Sequence, residues 1–271
     1  MFELNKIYCE DCMVTMDRMI KENIKVNNII TSPPYNTVTK GTHLLSDSAR
    51  KDFVGRYDVF NESMTNEEYL KWTSKLFDYY DKILTENGVI IYVLSYGNSN
   101  HELMYRVLYQ ILEHTQFTIA DNIIWKKGRV IPNVSTSNKL TRRCEYVFIL
   151  CRKEEYLTFK SNKKVTAIRK DGRKYYNSIQ NFIHTYNNDF SKKRFMLNGA
   201  TFSTELITKI IDIYVPDEEK KDWIIYDSFM GSGTTANACK IKGIKYIGSE
   251  ISQAQVDFAN ERIKETQTQL I

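Results

Sequence analysis

The sequence predicts an α/β fold in which a mostly parallel sheet carries helices on both faces. Continuous apolar runs such as residues 89–94 are typical of strands that are covered on both faces. Segments with apolar residues at helical spacing alternate with these runs, as expected for βα units. With 271 residues, the chain is long enough for one large core or two small domains.

In the N-terminal half, a helix is predicted to begin after Thr65, because Thr65 and Glu68 have the spacing of a capping box. It is predicted to end at Asn87-Gly88. Residues 39–63 show no clear period and are interpreted as a long loop, which in a compact domain is commonly functional. The other elements predicted in this half are strands at 28–30, 89–94, 122–125 and 145–151, and a helix at 101–114.

Composition narrows the class of protein. The net charge of +5 permits a nucleic-acid partner but does not argue for one by itself. No apolar run reaches the roughly 18 residues of a membrane-spanning helix, and acidic residues near the N-terminus replace the apolar core of a signal peptide. Five scattered cysteines fit a reducing compartment. We therefore expect a cytoplasmic protein.

Two of these cysteines, Cys9 and Cys12, form a C-x-x-C pattern. No second C-x-x-C accompanies it, so a zinc or redox site is the minor alternative. We expect no metal, and we expect both side chains to pack as small apolar groups.

Residues 152–195 differ from the rest of the chain. They contain twelve lysines and arginines and four acids, a local balance of +8 against +5 for the whole chain. Tyrosines and phenylalanines are interleaved with the charges, and the hydrophobic period is weak. This composition is typical of a segment that contacts nucleic acid. A solvated loop region rich in lysine is the alternative.

The C-terminal part returns to the α/β pattern. Its predicted elements are a helix at 204–215, a strand at 223–226, a helix at 235–242 and a strand at 246–249. Between the first strand and the second helix lies Asp227-Ser-Phe-Met-Gly-Ser-Gly-Thr234, in which Gly231 and Gly233 allow the backbone to approach a ligand closely. Glu250 follows Asp227 by 23 residues, where a carboxylate grips ribose hydroxyls in nucleotide-binding sheets. The pattern is neither G-x-G-x-x-G nor a Walker loop, which disfavours a nicotinamide or ATP cofactor.

The segment Thr31-Ser-Pro-Pro-Tyr-Asn36 directly follows the strand predicted at 28–30. Prolines cannot pair in a sheet, so they make a rigid exit from the strand. An exocyclic base amine must become tetrahedral before it attacks a methyl group, and two fixed acceptors can hold its two hydrogens. The Ser32 hydroxyl and a proline carbonyl, that of Pro33, would be such acceptors, and Tyr35 could stack on a flipped base. A proline-stiffened strand exit without catalytic function is the alternative.

Together, these two segments resemble the signature motifs of the S-adenosylmethionine-dependent DNA amino-methyltransferases. The catalytic motif comes first and the cofactor motif lies near the C-terminus, as in the circularly permuted β group of that family. The resemblance covers most of the chain. It implies a Rossmann-like methyltransferase sheet, circularly permuted, with a small target-recognition insert. The implied division is a catalytic half at 1–151, an insert at 152–197 and a cofactor-binding half at 198–271. The family usually has proline at position 228, and the serine here is expected to alter turn rigidity only.

Other positions take roles from the same resemblance. Asp11 matches an acidic motif on the adenine side of the cofactor, and a helix N-cap is its alternative role. The segment around Glu145 resembles the one before the recognition region, where the glutamate is structural. Thr201 lies in a segment resembling the motif at the methionine end of the cofactor; Phe202 and Ser203 depart from that motif. Thr201 could equally cap the following helix.

The resemblance therefore implies three sets of site residues. The catalytic set is Ser32, Pro33, Pro34 and Tyr35. The set contacting S-adenosylmethionine is Asp11, Thr201, Asp227, Phe229, Gly231, Gly233, Thr234 and Glu250. The set contacting double-stranded DNA is Asn36, Lys40, Arg169, Lys170, Arg173 and Lys174. A homodimer and a restriction endonuclease with the same target site are further partners compatible with the family.

The acceptor base stays open between adenine N6 and cytosine N4. Serine at position 32 is commoner in the cytosine enzymes, whereas the continuation Tyr35-Asn36 favours adenine, which we prefer narrowly. None of the five cysteines follows a proline as a cytosine-attacking nucleophile would, so direct transfer without a covalent intermediate is expected. RNA or a protein amide as substrate, and an inactive nucleic-acid-binding protein, are the alternative functions.

Overall fold

The computed structural model describes residues 2–36, 64–95, 100–128, 130, 132, 137–138, 140–186 and 202–266. Within these ranges the strands are β1 Lys6–Cys9, β2 Val26–Thr31, β3 Leu84–Leu94, β4 Phe117–Lys127, β5 Cys144–Arg152, β6 Val165–Ile168, β7 Lys174–Tyr176, β8 Phe182–Thr185, β9 Ile224–Asp227 and β10 Lys245–Glu250. The helices are α1 Cys12–Lys21, α2 Asn66–Ile83, α3 Leu103–His114, α4 Thr204–Tyr214, α5 Thr234–Lys242 and α6 Gln253–Glu265. No described helix has the length and apolar character that crossing a membrane requires.

Eight strands form one sheet in the order β1-β10-β9-β2-β3-β5-β4-β8, and β6 and β7 form a separate hairpin. The five strands from β1 to β3 run parallel, whereas β5 runs antiparallel to both of its neighbours. Strands β9 and β10 come late in the sequence but lie between β1 and β2. The carboxyl ends of β9 and β2 are therefore adjacent, at the position where open α/β sheets bind ligands.

The sheet is covered on both faces, as the apolar runs predict. On β2, Ile30 packs in one core with residues of α4, α5 and α6. Its neighbour Ile29 packs in the other core with residues of α1, α2 and α3. Both isoleucines are completely buried, so consecutive residues are apolar because each face of the strand has its own helical layer. The predicted α/β architecture is confirmed.

The end of α2 differs from its prediction. The capping box at Thr65 is present, but the helix ends at Ile83 and β3 begins at once. Asn87 has a positive φ of 56°, and it lies with Gly88 at an irregularity inside β3. Pairing of Leu84 with Val26 draws this segment into the sheet, which overrides the local signal for a helix end.

Residues 152–197, predicted as a target-recognition insert, contain strand β8. This strand pairs in parallel with the edge strand β4, so part of the segment belongs to the main sheet. The hairpin of β6 and β7 is separate from it.

Candidate active site

The loop after β2, residues 32–36, is held by contacts from its own residues and from α2. The Ser32 hydroxyl lies 2.9 Å from the Tyr35 hydroxyl, and the Tyr69 hydroxyl donates to the Pro34 carbonyl at 2.7 Å. Pro33 and Pro34 are buried, whereas Ser32 and Tyr35 are half-buried. No described residue donates to the Pro33 carbonyl. The loop thus presents a hydroxyl and an aromatic ring on a rigid backbone.

Asn36 closes this loop. It adopts a positive φ of 47°, is buried, and donates from Nδ2 to the Met64 carbonyl at 2.9 Å. Its Oδ1 has no hydrogen-bond partner in the described part of the chain. The side chain therefore fixes the loop to the segment before α2, and its predicted contact with DNA stays a prediction.

The turn at residues 228–233 joins β9 to α5. Gly231 and Gly233 have φ values of 51° and 79°, in the left-handed region that glycine favours. A Cβ on Gly233 would lie 2.7 Å from Cβ of Ala259 on α6. The Met230 amide donates to the Ser249 carbonyl at 2.9 Å. Glycine is thus required both for the backbone conformation of the turn and for its packing against α6.

Glu250, at the end of β10, contacts the same turn. One carboxylate oxygen accepts from the Gly231 amide at 2.9 Å, and the other accepts from the Ser252 amide at 2.9 Å. Because β10 lies beside β9, the predicted ribose-binding carboxylate is placed next to the glycine turn. A carboxylate, backbone amides and glycines with positive φ fit a nucleoside cofactor.

Asp227 is completely buried, and its carboxylate accepts hydrogen bonds from other groups of the protein. It accepts from the Thr31 hydroxyl at 2.7 Å, from the Thr235 hydroxyl at 2.6 Å and from the Phe229 amide at 3.0 Å. Burial raises the pKa of this carboxyl to about 6, although the three hydrogen bonds oppose the shift. Asp227 therefore joins β2, the turn and α5, and its predicted contact with the cofactor stays a prediction.

Ser228 does more than alter turn rigidity. Its hydroxyl lies 3.1 Å from the Thr31 hydroxyl and 2.5 Å from the Tyr80 hydroxyl. All three residues are buried. The expectation of an effect on rigidity alone is wrong, because this serine also supplies a hydrogen-bonding group between the turn, β2 and α2.

An aromatic row connects α2 with the turn. The ring centroids of Tyr69 and Trp72 are 5.4 Å apart, and those of Trp72 and Phe229 are 5.7 Å apart. Tyr69 also holds the Pro34 carbonyl. Helical spacing marks Tyr69, Trp72 and Tyr80 only as core positions, so the sequence did not identify their contacts with the loop and the turn.

Arg262 of α6 is another residue that the sequence analysis missed. Its guanidinium donates to the Ser232 carbonyl at 3.2 Å and to the Thr204 hydroxyl at 2.8 Å. It therefore fastens the turn to the start of α4. Ser203 caps that helix, accepting from the Leu206 amide at 3.1 Å, so the alternative of a Thr201 cap is wrong. Thr201 itself lies outside the described residues.

Asp11 and the two nearby cysteines lie at the end of β1. The Asp11 carboxylate caps α1, accepting from the Met13 amide at 2.8 Å. The alternative role expected for Asp11, a helix N-cap, is therefore confirmed, and its contact with the cofactor stays a prediction. Cys9 pairs in register with Glu250, which places Asp11 at the same edge of the sheet as the turn. Cys12 is buried as expected, but Cys9 is exposed, so the prediction that both would pack is wrong for Cys9.

Four of the predicted DNA contacts, Arg169, Lys170, Arg173 and Lys174, lie elsewhere, on the basic hairpin of residues 163–177. Arg173 pairs with Asp171 at 2.7 Å and Arg169 stacks over the Tyr175 ring at 5.6 Å. All residues from 163 to 176 are exposed. Lys40, predicted with them, lies outside the described residues.

The base of the basic hairpin is anchored at the C-terminal end of α4. The backbone amide of Asn162 donates to the Ile213 carbonyl at 2.6 Å. Lys164 forms an ion pair with Asp217 at 2.9 Å. The turn is linked to the other end of α4 through Arg262, which donates to Ser232 and to Thr204. Because Thr204 and Ile213 are nine residues apart on α4, the two anchor points are separated by about 14 Å along the helix. The structure therefore brings the loop, the turn, Glu250 and Asp11 to one edge of the sheet, and anchors the hairpin away from it.

Comparisons with known proteins agree with this geometry. A family model described as DNA methylase, of the N6/N4 methyltransferases, matches residues 26–261. The Type II methyltransferase M.HinfI of Haemophilus influenzae is 25% identical over 272 residues, covering 97% of this chain and 69% of the relative. The orphan methyltransferase M.BamHII of Bacillus amyloliquefaciens is 24% identical over 273 residues, covering 90% of this chain and 92% of the relative.

Solved structures establish the fold. The M1.HpyAVI–SAM complex superposes with a TM-score of 0.59 at 21% identity, covering 95% of this chain and 98% of the other. PvuII DNA methyltransferase, titled cytosine-N4-specific, gives a TM-score of 0.66 at 16% identity, covering 98% of this chain and 87% of the other. The Rossmann-like methyltransferase fold expected from the motifs is confirmed. Because the family model matches most of the chain, the protein belongs to the N6/N4 DNA methyltransferase family.

Proposed function

We propose that this protein transfers a methyl group from S-adenosylmethionine to the exocyclic amine of a flipped base in double-stranded DNA, with adenine N6 narrowly preferred to cytosine N4. One observation carries the proposal. The loop with Ser32 and the turn with Gly231 are adjacent at the carboxyl edge, joined by the Thr31–Asp227 hydrogen bond of 2.7 Å. A group held by the turn would therefore lie next to a base held by the loop.

The loop supplies the base-binding groups. The Ser32 hydroxyl and the Pro33 carbonyl are two acceptors on rigid backbone, as an amine with two hydrogens requires. Tyr69 already donates to the Pro34 carbonyl, and we assign the role of second acceptor to the Pro33 carbonyl. The Tyr35 ring lies on the same loop, where it would stack on the base. Acceptors fixed before the reaction stabilise the tetrahedral nitrogen without the cost of reorganising.

The turn and its neighbours would hold the cofactor. Glu250 would accept from the ribose hydroxyls, and the backbone of Gly231 and Gly233 would allow close approach. Phe229 and Thr234 flank these glycines, while Asp11 and Thr201 complete the predicted set. When bound, S-adenosylmethionine supplies a methyl group on a sulfonium, ready for attack by a neutral nucleophile.

Membership of the permuted β group is part of the proposal. The catalytic loop follows β2 and the cofactor turn follows β9 near the C-terminus, which supports that order of motifs. The division into residues 1–151, 152–197 and 198–271 follows from it. A homodimer and a restriction endonuclease with the same target stay predictions.

Direct transfer is supported by the state of the cysteines. Burial raises the pKa of the thiols of Cys12, Cys151 and Cys239. Desolvation and the nearby acids Glu250 and Asp257 raise the pKa of Cys9. At these four cysteines a raised pKa disfavours the thiolate that a covalent mechanism would need, which supports attack on the methyl group by the base amine itself.

The test is methyl transfer from labelled S-adenosylmethionine to unmethylated genomic DNA, followed by digestion to nucleosides and mass spectrometry. Label in N6-methyladenine is the expected result. Label in N4-methylcytosine would keep the mechanism and correct the base. Absence of label in both nucleosides, with the folded protein still binding S-adenosylmethionine, would overturn DNA as the substrate and favour RNA or a protein amide.

A further inference from the structure

A chain of buried polar side chains runs from α2 to the glycine turn and the catalytic loop. The hydroxyls of Tyr80 and Ser228 are 2.5 Å apart, and those of Ser228 and Thr31 are 3.1 Å apart. The Thr31 hydroxyl donates to Asp227 at 2.7 Å. Each of the four residues is at most 2% exposed, so water does not compete for these groups.

The donors in this chain can be deduced. An ionised carboxylate only accepts, so Thr31 uses its single proton on Asp227. Thr31 can then only accept from Ser228, and Ser228 in turn can only accept from Tyr80. The direction is therefore Tyr80 to Ser228 to Thr31 to Asp227. Removing any one hydroxyl leaves a buried neighbour with an unmet hydrogen bond.

This chain of hydrogen bonds ends next to residues that are proposed to bind the base and the cofactor. Thr31 is followed in the sequence by Ser32, whose hydroxyl is the proposed acceptor for the base amine. Ser228 is followed by Phe229, at the start of the turn. Tyr80 lies on α2, the helix whose Tyr69 holds the Pro34 carbonyl. The turn, through Ser228, and the loop, through Pro34, therefore both contact α2.

We propose that Tyr80 and Ser228 are positioning residues for methyl transfer, which set the separation between the base-binding loop and the cofactor turn. This inference rests on the proposed function of the site. Displacement of a reacting group by about 1 Å can cost about 100-fold in rate. Loss of a positioning hydroxyl is therefore expected to slow transfer while leaving the affinity for each substrate nearly unchanged.

The experiment compares single-turnover methyl transfer at saturating DNA and S-adenosylmethionine with the Kd of the cofactor from calorimetry. For Tyr80→Phe, Ser228→Ala and Thr31→Val we expect the rate to fall about 10-fold or more. The Kd is expected to change by less than about 3-fold. Thr31→Ser keeps the hydroxyl and is expected to stay within about 3-fold of the wild-type rate.

Tyr226→Phe is the matched control. The Tyr226 hydroxyl lies 2.7 Å from that of Ser249, and both residues are completely buried. This variant also loses a buried tyrosine–serine bond, together with a 3.4 Å hydrogen bond from the same hydroxyl to the Cys12 carbonyl, but neither bond is part of the chain to Thr31. We expect Tyr226→Phe to lose about as much unfolding free energy as Tyr80→Phe but to keep the wild-type transfer rate. Tyr80→Phe is expected to lose both stability and transfer rate.

Wild-type rates in Tyr80→Phe and Ser228→Ala would overturn the inference, and so would equal rates in Thr31→Val and Thr31→Ser. A Tyr226→Phe rate as low as that of Tyr80→Phe would also overturn it, since general destabilisation would then explain both. The double variant Tyr80→Phe/Ser228→Ala should be slowed by less than the product of the single effects. A wild-type protein without transfer would instead contradict the proposed function.

Discussion

The carboxyl edge of the sheet and the basic hairpin of residues 163–177 are built in opposite ways. At the edge, a single carboxylate, Asp227, has partners on β2, the turn and α5, and it is completely buried together with the Thr31 and Thr235 hydroxyls that donate to it. On the hairpin, residues 163–176 are exposed and the anchoring contacts lie at its base. Chemistry requires groups fixed to a fraction of an ångström, whereas charge attracts DNA without fixed geometry. We therefore expect substitutions at the edge to affect rate and stability, and substitutions on the hairpin to affect DNA affinity.

The largest effect is expected at Ser32. Ser32→Ala removes one of the two proposed acceptors, which should lower the transfer rate by roughly 100- to 1000-fold. The Kd for S-adenosylmethionine should not change, since Ser32 lies on the loop and not on the turn. Single-turnover kinetics and calorimetry measure the two quantities. Ser178→Ala, an exposed serine beyond β7, is the control, and a rate for Ser32→Ala near that of this control would contradict the role.

The next effect concerns pH and Asp227. Its pKa of about 6 in the folded protein lies above the ordinary value of about 3.9, so the native state binds more protons between these values. The free energy of unfolding should therefore decrease as pH rises through this window, by on the order of 3 kcal/mol. Asp227→Asn removes this contribution. Urea unfolding should show that, between pH 4 and pH 7, the wild type loses unfolding free energy relative to Asp227→Asn. If the difference between the two proteins is the same at both pH values, the raised pKa assigned to Asp227 is wrong.

A smaller effect separates two glycines with similar backbone conformation. A Cβ on Gly233 would lie 2.7 Å from Cβ of Ala259, whereas a Cβ on Gly243 would meet nothing within 4 Å. Both φ values are positive, so alanine strains both, but only Gly233→Ala adds a clash. We expect Gly233→Ala to cost about 1–3 kcal/mol more than Gly243→Ala in denaturant unfolding, and to weaken cofactor binding. Equal costs would contradict the packing described for the turn.

The smallest effects are expected on the hairpin. Alanine at Arg169, Lys170 or Lys174 should each reduce the slope of log Kd for DNA against log salt by about one. Arg173→Ala should do less, because Asp171 already neutralises that charge. The measurement is DNA affinity at several salt concentrations. Unchanged slopes in all four variants would show that the hairpin does not contact DNA.

Sequence alone predicted the edge better than the hairpin. Strands of a parallel sheet end at the same edge, so residues that follow predicted strands, such as Ser32 and Glu250, could be placed together without a structure. Tyr80 could not, because helical spacing marks a residue as buried without stating which group its polar end meets. Arg262 could not, because no element was predicted beyond residue 250. The end of α2 was misplaced because Leu84 pairs with Val26, a contact between distant parts of the chain. Composition marked the hairpin as basic but carried no information about where it is anchored.

The most direct test of this contrast measures rate and affinity side by side. Ser32→Ala and a variant with alanine at Arg169, Lys170, Arg173 and Lys174 are compared with the wild type in single-turnover methyl transfer at saturating DNA, and in DNA binding. We predict that Ser32→Ala keeps the DNA affinity and loses the rate. The hairpin variant should lose affinity and keep the rate. A hairpin variant that transfers slowly at saturating DNA, or a Ser32→Ala protein with the wild-type rate, would contradict the account.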